Sequence, residues 1–364
     1  MIYLDNAATT KPCKEAVQAA VTNMTDNFGN ASSLHKMGIE AEKVITAAKK
    51  TMLERLGAEG EIFFTSGATE SNNTALLGAA HAYRRRGNKI VSTAIEHPSV
   101  ARVLDKLEEE GFEVVRLAPK DYPDGFEQAL IDAVDKDTII ISFMAVNNET
   151  GFSTDCRRVY NAVKRKNPNC VVHVDGVQGF CKVPLAGDLI SVSAHKIHGI
   201  KGLGALYQAK NIRFLPLMQG GGQQKNLRSG TEPVDLIAAF AAAINAYPRS
   251  TEHFSVLKEH LLSRLTELEG VTVNSRSSVP AIVNFSLAGI RSEIMLHFLE
   301  ESGIYISSGS ACSKGKVSPV LAALGVSDKN ADSALRVSFC RDNTTEEIEL
   351  LVEQLKSGIA RFRR

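Results

Sequence analysis

The chain has 364 residues, 44% of them hydrophobic, and is therefore long enough to bury a large core and to divide into two domains. Its formal net charge of +1 at pH 7 argues against a dedicated nucleic-acid-binding protein, whose binding face would be strongly basic. Asp5 interrupts the opening apolar run, and no window approaches the roughly 18 apolar residues of a membrane span, so we expect a cytoplasmic protein with no membrane partner and no direct nucleic-acid binding.

Six cysteines are scattered along the chain without a CxxC pair or the spacing of a zinc site. We therefore expect no metal centre, and no structural disulfide in the reducing cytoplasm. Five of the six are expected to behave as buried small hydrophobic residues, as free cysteines usually do. These five are Cys13, Cys156, Cys170, Cys181 and Cys340.

The first part of the chain predicts a short opening strand and two helices, over residues 14–25 and 34–56. Residues 61–65 (EIFFT) predict a further strand, which ends in the small residues 66–68 before a helical pattern begins at Thr69. A helix that starts there directs free N–H groups and a positive dipole end at the top of a strand, which is typical of an anion site. An ordinary helix cap explains the same residues equally well.

Strands and helices then alternate from residue 89 to residue 208, and the strands are apolar runs without polar alternation. Such runs are typical of a sheet that helices cover on both faces, so the predicted fold class is α/β with a largely parallel sheet. We predict strands over residues 89–96, 112–118, 137–146, 170–175, 188–194 and 202–208, and helices over 99–110, 126–134 and 155–165.

Polar clusters follow five of these predicted strands. Ligands of open α/β sheets bind outside the carboxyl ends of the strands, so we expect the five clusters to face one ligand. The clusters are residues 66–70, 96–98 (Glu-His-Pro), 147–151 (NNETG), 175–178 and 193–196.

Lys196 is the residue of these clusters with the most specific chemistry. A lysine after a strand is usually solvated, but where burial lowers its pKa it can form a Schiff base with an aldehyde cofactor. Asp175 ends the preceding apolar strand, and Gln178 follows three residues later. Pyridoxal phosphate requires both a Schiff-base lysine and a partner for its pyridinium nitrogen, so the pair favours that cofactor.

After residue 208 the composition changes, and a glycine-rich connector leads to a predicted helix over residues 234–247. A second unit with helices, short strands and a final helix from residue 345 begins near Arg249 and reads as α+β. We therefore predict a large domain over residues 15–248 and a small domain over residues 249–364, joined by residues 1–14.

The small domain carries the loop SSGSACSKGKVSP, in which Cys312 stands among small residues and close to lysines. Exposure and nearby cations favour the reactive thiolate, although local sequence alone favours a surface cysteine without a function. Arg336, on a later strand, could bind a carboxylate through its guanidinium fork or could be a salt-bridged strand arginine.

These motifs together resemble the cysteine desulfurases, which are pyridoxal phosphate enzymes of the class V aminotransferase group. The resemblance extends over nearly the whole chain and implies a fold type I PLP-transferase. The motifs that carry it are YLDNAATT, FGNASSLH, FTSGATESNN, EHPSV, VNNETG, HVDGVQ, SAHKIHGIKG, GGGQ, LRSGT, SSGSACS and LRVSF.

The resemblance implies a role for each matched position. Lys196 resembles the Schiff-base lysine, His97 the imidazole that stacks on the pyridine ring, and Cys312 the nucleophile. Asn148 and Arg336 match the groups that hold the substrate carboxylate. The remaining cofactor ligands implied are Asp175 at the ring nitrogen, Gln178 at the phenolic oxygen, and Thr69, Ser193, His195 and the backbone of Ala68 at the phosphate, with Thr231 reaching the phosphate of the other subunit in a homodimer.

The activity implied is the conversion of L-cysteine to L-alanine, with the sulfur left as a persulfide on Cys312 for delivery to an acceptor protein. Such acceptors include iron–sulfur scaffolds and tRNA-thiolation enzymes, between which the sequence does not choose. A selenocysteine lyase or another class V enzyme, such as a transaminase, is the alternative. A sulfur-carrier or regulatory subunit without turnover would tolerate the loss of Cys312 or Lys196, and both are present.

Overall fold

The structure is a computed structural model and describes residues 1–275, 279–308 and 318–363. Its strands are β1 (Ile2–Tyr3), β2 (Gly60–Thr65), β3 (Lys89–Thr93), β4 (Glu113–Leu117), β5 (Thr138–Met144), β6 (Val171–Asp175), β7 (Leu189–Ser193), β8 (Gly204–Ala209), β9 (Val271–Val273), β10 (Ile282–Leu287), β11 (Ile304–Tyr305), β12 (Ser307–Ser308) and β13 (Ala334–Ser338).

The helices cover most of the chain between the strands. They are α1 (Lys14–Thr25), α2 (Lys36–Leu56), α3 (Ala68–Tyr83), α4 (Pro98–Glu109), α5 (Phe126–Ala133), α6 (Cys156–Lys166), α7 (Val234–Ala246), α8 (Glu252–Leu265), α9 (Ser292–Glu301), α10 (Pro319–Ala323), α11 (Asp328–Asp332) and α12 (Thr345–Phe362).

Seven strands form the large sheet, in the order β2-β8-β7-β6-β5-β3-β4. The neighbours from β7 to β4 are all parallel, whereas β8 runs antiparallel to both β7 and β2. The predicted α/β class and the mostly parallel sheet are thus confirmed. Two consecutive strands of the chain, β7 and β8, can be antiparallel neighbours because residues 194–203, which join them, reverse the direction of the chain.

Helices cover both faces of the large sheet, as the apolar strands predict. Leu76 on α3 and Leu104 on α4 pack on one face, together with Ile140 of β5. Met52 on α2 and Phe240 on α7 belong to the core on the other face. All seven residues of β5 are buried, which is why its sequence shows no polar alternation.

The second unit contains a four-stranded sheet in the order β12-β13-β10-β9, with antiparallel neighbours. Helices α8 and α9 pack against α12 and, with buried residues such as Phe285 and Leu335, extend the main core cluster into this unit. The predicted boundary at residues 248 and 249 lies between α7 and α8. The domain division itself remains a prediction.

The opening segment of the chain joins the two units. Strand β1 pairs in parallel with β11, and Asp5 forms an isolated bridge with Ser338 at the end of β13. Residues 6–13 then run toward the large sheet, where Cys13 N donates to the carbonyl of His198 over 2.9 Å. The opening segment therefore lies between the small sheet and the strand ends of the large one.

Two smaller differences from the sequence predictions are local. The pattern did not predict α11 or β12, which are only five and two residues long and too short to show a period. Of the five cysteines expected in the core, Cys13, Cys156 and Cys170 are buried, but Cys181 and Cys340 are only half-buried.

Among the described residues no helix is long and apolar enough to cross a membrane.

Candidate active site

Three of the predicted polar clusters meet at one edge of the large sheet. Strands β3, β5, β6 and β7 are parallel neighbours, so their carboxyl ends lie side by side. Asp175 is the last residue of β6 and Ser193 the last residue of β7, while His97 follows β3 by a short turn. The convergence predicted for five clusters is therefore present for these three.

Asp175 is buried, with 4% of its surface exposed. One of its oxygens accepts from the Val177 N–H over 3.0 Å and the other from the Asn72 Nδ2 over 2.9 Å. Burial raises the pKa of the Asp175 carboxyl, and the two hydrogen bonds and the charges of His97 and Lys196 oppose this shift. Each oxygen still has a lone pair with which the carboxylate can accept a further donor.

Asn72 and Ser99 connect Asp175 to His97, and the sequence analysis missed both. The Asn72 amide also donates to Ser99 Oγ over 2.9 Å, and Ser99 Oγ lies 2.9 Å from His97 Nδ1. Both residues stand in motifs that carry the family resemblance, Asn72 in SNN and Ser99 in EHPS. The available signal was a polar residue near the start of the helix that follows a strand.

His97 occupies the N-cap of α4, where its Nδ1 accepts from the Ser99 N–H over 3.1 Å. The residue is exposed overall, but partial burial of the ring lowers the pKa of its imidazole, with the Asp175 charge opposing the shift. Its neighbour Glu96 is buried, and burial raises the pKa of that carboxyl to about 8. Glu96 Oε1 accepts from Met144 N over 3.0 Å, while Oε2 has no hydrogen-bond partner among the described residues.

Lys196 ends a short 3₁₀ turn directly after β7. Its Nζ donates to the carbonyl oxygens of Ala7 over 2.6 Å and of Ala8 over 2.8 Å. Gln178 Nε2 donates to the same Ala7 oxygen over 2.8 Å, so the two residues predicted to serve one cofactor share a partner. Burial, followed by the Arg336 charge, lowers the pKa of the Lys196 amine to about 8.

The opening segment also fixes the turn that carries His195. Thr10 donates to the His195 carbonyl through both its N–H and its hydroxyl, each over 2.9 Å. The Thr9 hydroxyl lies 3.1 Å from His195 Nδ1. Burial, followed by the Lys196 charge, lowers the pKa of His195 to about 4, so its imidazole is neutral at pH 7.

The predicted anion site lies at the start of α3. Ala68 and Thr69 form its first turn, where helix geometry leaves N–H groups without partners inside the helix. A Cβ placed on Gly204 would lie 2.6 Å from the carbonyl carbon of Gly67, so only glycine permits this approach of β8 to the helix start. Because Gly204 pairs with Ser193 in the sheet, Ser193 belongs to the same corner of the site.

Arg336 and Asn148 are brought together from the two units of the chain. Arg336 is 6% exposed, and its Nη1 donates to the Asn148 carbonyl over 2.9 Å. Its Nη2 forms an ion pair with Asp5 at 2.6 Å, while its Nε is buried without a hydrogen-bond partner among the described residues. Asn147 shapes the turn that presents Asn148, since its Oδ1 accepts the N–H groups of Glu149 and Thr150.

Two predicted site residues are not joined to this cluster. Thr231 is exposed in the connector, three residues after Arg228, whose guanidinium pairs with Glu70 on α3 at 2.9 Å. Cys312 lies outside the described residues. Among the residues that the structure describes, no group of three or more His, Cys, Asp or Glu side chains could hold a metal ion.

The residues present fit pyridoxal phosphate, the cofactor that the resemblance implies. A buried carboxylate with an unused lone pair suits a pyridinium nitrogen, and the start of a helix suits a phosphate group. An amine with a pKa of about 8 is a far better nucleophile at neutral pH than an ordinary lysine. The exposed His97 ring next to this carboxylate can stack on an aromatic ligand.

The chain is similar to one protein family over most of its length, and to individual proteins and solved structures. A profile of the family described as "Aminotransferase class-V" matches residues 2–351. A protein of Lactobacillus delbrueckii subsp. bulgaricus named "NifS/IcsS protein homolog" is 39% identical over 365 residues, which cover 96% of this chain and 94% of that protein.

A protein of Vibrio vulnificus named "Cysteine desulfurase IscS" is 38% identical, over 100% of this chain and 93% of that protein. Among solved structures, one titled "NIFS-LIKE PROTEIN" superposes with a TM-score of 0.90 at 34% identity and covers 99% of both chains. The similarity thus extends through both units of the chain.

Proposed function

Because the chain belongs to the aminotransferase class-V family and is a pyridoxal-phosphate-dependent cysteine desulfurase, we propose that Lys196, Asp175 and Cys312 divide the chemistry of that reaction. The observation that carries this proposal is the position of Lys196. Its amine, with a pKa of about 8, is held at the same sheet edge as the buried Asp175.

We propose that the cofactor is held by the residues of this edge. When bound, pyridoxal phosphate supplies an aldehyde for the amine of the substrate and a ring that withdraws electrons from its α-carbon. Asp175 would face the ring nitrogen, Gln178 the phenolic oxygen and His97 the ring face. Ala68, Thr69, Ser193 and His195 would hold the phosphate, together with Thr231 of a second copy.

Asn148 and Arg336 are the proposed ligands of the L-cysteine carboxylate. Arg336 Nη2 already pairs with the Asp5 carboxylate, which supports a carboxylate as the ligand of this guanidinium. Its buried Nε, without a protein partner among the described residues, is a further donor for the substrate. The substrate would then lie where the two units of the chain meet.

Lys196 is the proposed base for the α-proton of the substrate. An amine with a pKa of about 8 is partly unprotonated at neutral pH. The unprotonated fraction can accept the α-proton directly. The Ala7 and Ala8 carbonyls hold its Nζ in place by accepting its N–H groups. Proton transfer therefore depends on the opening segment of the chain as well as on the lysine.

Cys312 is the proposed sulfur acceptor, on the basis of the family resemblance. Its thiolate attacks the sulfur atom of bound L-cysteine, so that a sulfur–sulfur bond forms and the bond from sulfur to Cβ breaks. The electron pair of the broken bond goes to Cβ, which takes a proton and becomes the methyl group of L-alanine. The carbon is reduced, the two sulfur atoms end at the persulfide oxidation level, and the persulfide remains on Cys312.

A homodimer is the proposed assembly, and an exposed apolar stripe supports it. Val17, Val21 and Met24 stand at positions i, i+4 and i+7 on the outer face of α1, where each is exposed. Phe28 and Leu34, which follow, are 69% and 96% exposed. Contiguous exposed apolar residues mark interaction surfaces, and a second copy of the chain would cover them.

The persulfide is proposed to pass to an acceptor protein, either an iron–sulfur scaffold or a tRNA-thiolation enzyme. A cytoplasmic location is proposed with it. Free thiols persist in that compartment, and the five cysteines of the described residues are all unpaired.

The proposed function is tested by incubating the purified protein with L-cysteine and a reductant and measuring alanine and sulfide. We expect wild type to form both, Lys196→Ala to form neither, and Cys312→Ser to lose most of its sulfide release. Equal sulfide release by Cys312→Ser would refute the persulfide step. Turnover of L-selenocysteine with none of L-cysteine would reassign the enzyme as a selenocysteine lyase.

The dimer is tested by sedimentation of wild type and of Val21→Glu, with Lys50→Glu as the matched control on the exposed face of α2. We expect wild type and the control to sediment as dimers and Val21→Glu to shift toward monomer and to lose cofactor. A wild-type monomer with full activity would contradict the shared site at Thr231.

A further inference from the structure

Lys182 is a second lysine beside Lys196. It follows β6 by seven residues, and its Nζ donates to the backbone carbonyl of Lys196 over 3.3 Å. The two side chains line one small cavity, which Gln178 also borders. Lys182 therefore touches the residue that carries the chemistry without occupying any of the positions assigned to cofactor or substrate.

The charge of Lys182 has no counter-ion nearby. Within residues 1–275, 279–308 and 318–363, no carboxylate forms an ion pair with its Nζ. Burial lowers the pKa of the Lys182 amine to about 8, and Cys181 opposes the shift. When it is protonated, a buried lysine without a carboxylate partner repels a second positive charge in the same cavity.

Lys196 faces charges from several elements. Arg336 on β13 and Lys182 both disfavour its charged form, whereas Asp5 in the opening segment and Asp175 on β6 favour it. Arg336 is paired with Asp5 at 2.6 Å, so much of its effect is cancelled. Lys182, in contrast, forms no ion pair of its own with a carboxylate of the described residues.

Three histidines, a tyrosine and a cysteine near the two lysines favour their uncharged forms, and the charges of Lys201, Arg341 and Asp342 also reach these histidines. Burial lowers the pKa of the His198 and His97 imidazoles, and lowers that of His195 to about 4. Burial raises the pKa of the Tyr247 phenol and of the Cys340 thiol, which both line the cavity. None of them can replace the electrostatic effect of Lys182.

We propose that Lys182 is a positioning residue that holds the backbone carbonyl of Lys196 and, as a second ammonium group in the same cavity, favours the uncharged form of the Lys196 amine. Neighbouring cations are a known means of activating a lysine nucleophile. The inference rests on the proposed role of Lys196 in the desulfurase reaction. Its consequence is that two lysines, rather than one, set the pH at which the site becomes competent.

The test measures the titration of Lys196 directly in the full-length protein freed of its cofactor. Lysines are labelled competitively with acetic anhydride between pH 6 and pH 11, and the label on each peptide is measured by mass spectrometry. We expect Lys182→Met to raise the pKa of Lys196 by about half a unit to one unit, as removal of one nearby charge predicts. Lys182→Arg, which keeps the charge, should leave it near the wild-type value.

Lys210→Met is the matched control, because Lys210 is exposed and paired with Glu59 away from the sheet edge. Lys182→Gln replaces Lys182→Met if the latter does not fold, as judged by circular dichroism. An unchanged Lys196 titration in the uncharged variants would overturn the proposal, as would an equal rise in Lys182→Arg. The labelling does not depend on turnover, so it can fail while the desulfurase assignment stands, and the reverse also holds.

In the cofactor-loaded enzyme, the acid limb of the pH profile for alanine formation should move to higher pH in Lys182→Met by the same amount as the labelled pKa. A loss of rate without that movement would indicate a structural role only and would overturn the electrostatic one.

Discussion

The two ends of the candidate site differ in how completely one chain builds them. At the ring end, Asp175 is 4% exposed and both its oxygens already accept a hydrogen bond from the protein. At the phosphate end, Thr69 and Thr231 are exposed, and Thr231 is not joined to the other predicted ligands. The ring end is preorganised within the chain, and the phosphate end is open.

This difference indicates which interactions folding alone can supply. A buried carboxylate must have its donors in place before any ligand arrives, because an unpartnered buried charge destabilises the fold. An exposed helix start carries no such requirement, since water satisfies its N–H groups. A second copy of the chain can therefore complete the phosphate end without cost to the isolated subunit.

The largest expected effect is at the ring end. Asp175→Asn keeps the size of the side chain and removes its charge, so the ring nitrogen loses its ionic partner. We expect the rate of alanine formation to fall by roughly a hundredfold to a thousandfold, as when a preorganised electrostatic group is removed. A rate of alanine formation within a few-fold of wild type would contradict this expectation, because the preorganised ring end would then contribute little to the rate.

A smaller loss is expected from Asn72→Ala, which removes the donor to Asp175 Oδ2 and its link to Ser99. Loss of one buried hydrogen bond to a charged group corresponds to about 2 kcal/mol, or roughly thirtyfold in rate. The control is Asn161→Ala, which alters an exposed asparagine on α6. Rates of alanine formation for the two variants are compared at saturating cofactor, and equal rates would show that Asn72 does not position Asp175.

At the phosphate end, Thr69→Val and Thr231→Val should act on retention of the cofactor rather than on rate. Each removes one hydroxyl from an exposed position, for which we expect about a tenfold weaker affinity. Absorbance of the bound cofactor during dialysis measures this. A rate loss at full cofactor occupancy that equals the loss in Asp175→Asn would contradict the division between the two ends.

The smallest effect concerns the stability of the ring end. Burial raises the pKa of the Glu96 carboxyl from 4.5 to about 8. As the pH rises through this interval, the unfolded chain releases the proton while the native protein keeps it, so native stability falls. Glu96→Gln removes this contribution, and its Tm should therefore fall less between pH 5 and pH 8 than the Tm of wild type.

Differential scanning calorimetry at the two pH values measures the Glu96 effect, with Glu109→Gln on the exposed end of α4 as control. Parallel Tm changes in wild type and Glu96→Gln would mean that the buried carboxyl does not keep its proton.

The elements that the sequence predicted well are those with a clear period or a sharp end. The apolar strands and their terminal polar residues indicated the sheet edge, and the helix bounds agree with the structure to within a few residues. Motif resemblance, rather than periodicity, indicated the roles of Gln178 and Thr231.

What the sequence could not show were contacts between distant parts of the chain. Ala7 accepts the Lys196 hydrogen bond with its backbone carbonyl. Because every residue has a backbone carbonyl, the residue type does not reveal this contact. Lys182 is an ordinary lysine until the fold places it beside Lys196. The antiparallel course of β8 depends on how residues 194–203 reverse the direction of the chain, which the apolar run alone does not determine.

The opening segment has a consequence for how the enzyme is made. Asp5 binds Arg336, and the bridge from Asp5 to Ser338 closes a loop of more than three hundred residues. Residues 5–7 leave the ribosome early, but their partners on β13 are synthesised more than three hundred residues later. The large sheet can form first, because its strands all lie before residue 210. Closure of so long a loop costs entropy, so the Asp5–Arg336 ion pair, which fixes the proposed ligand of the substrate carboxylate, is a late event in folding.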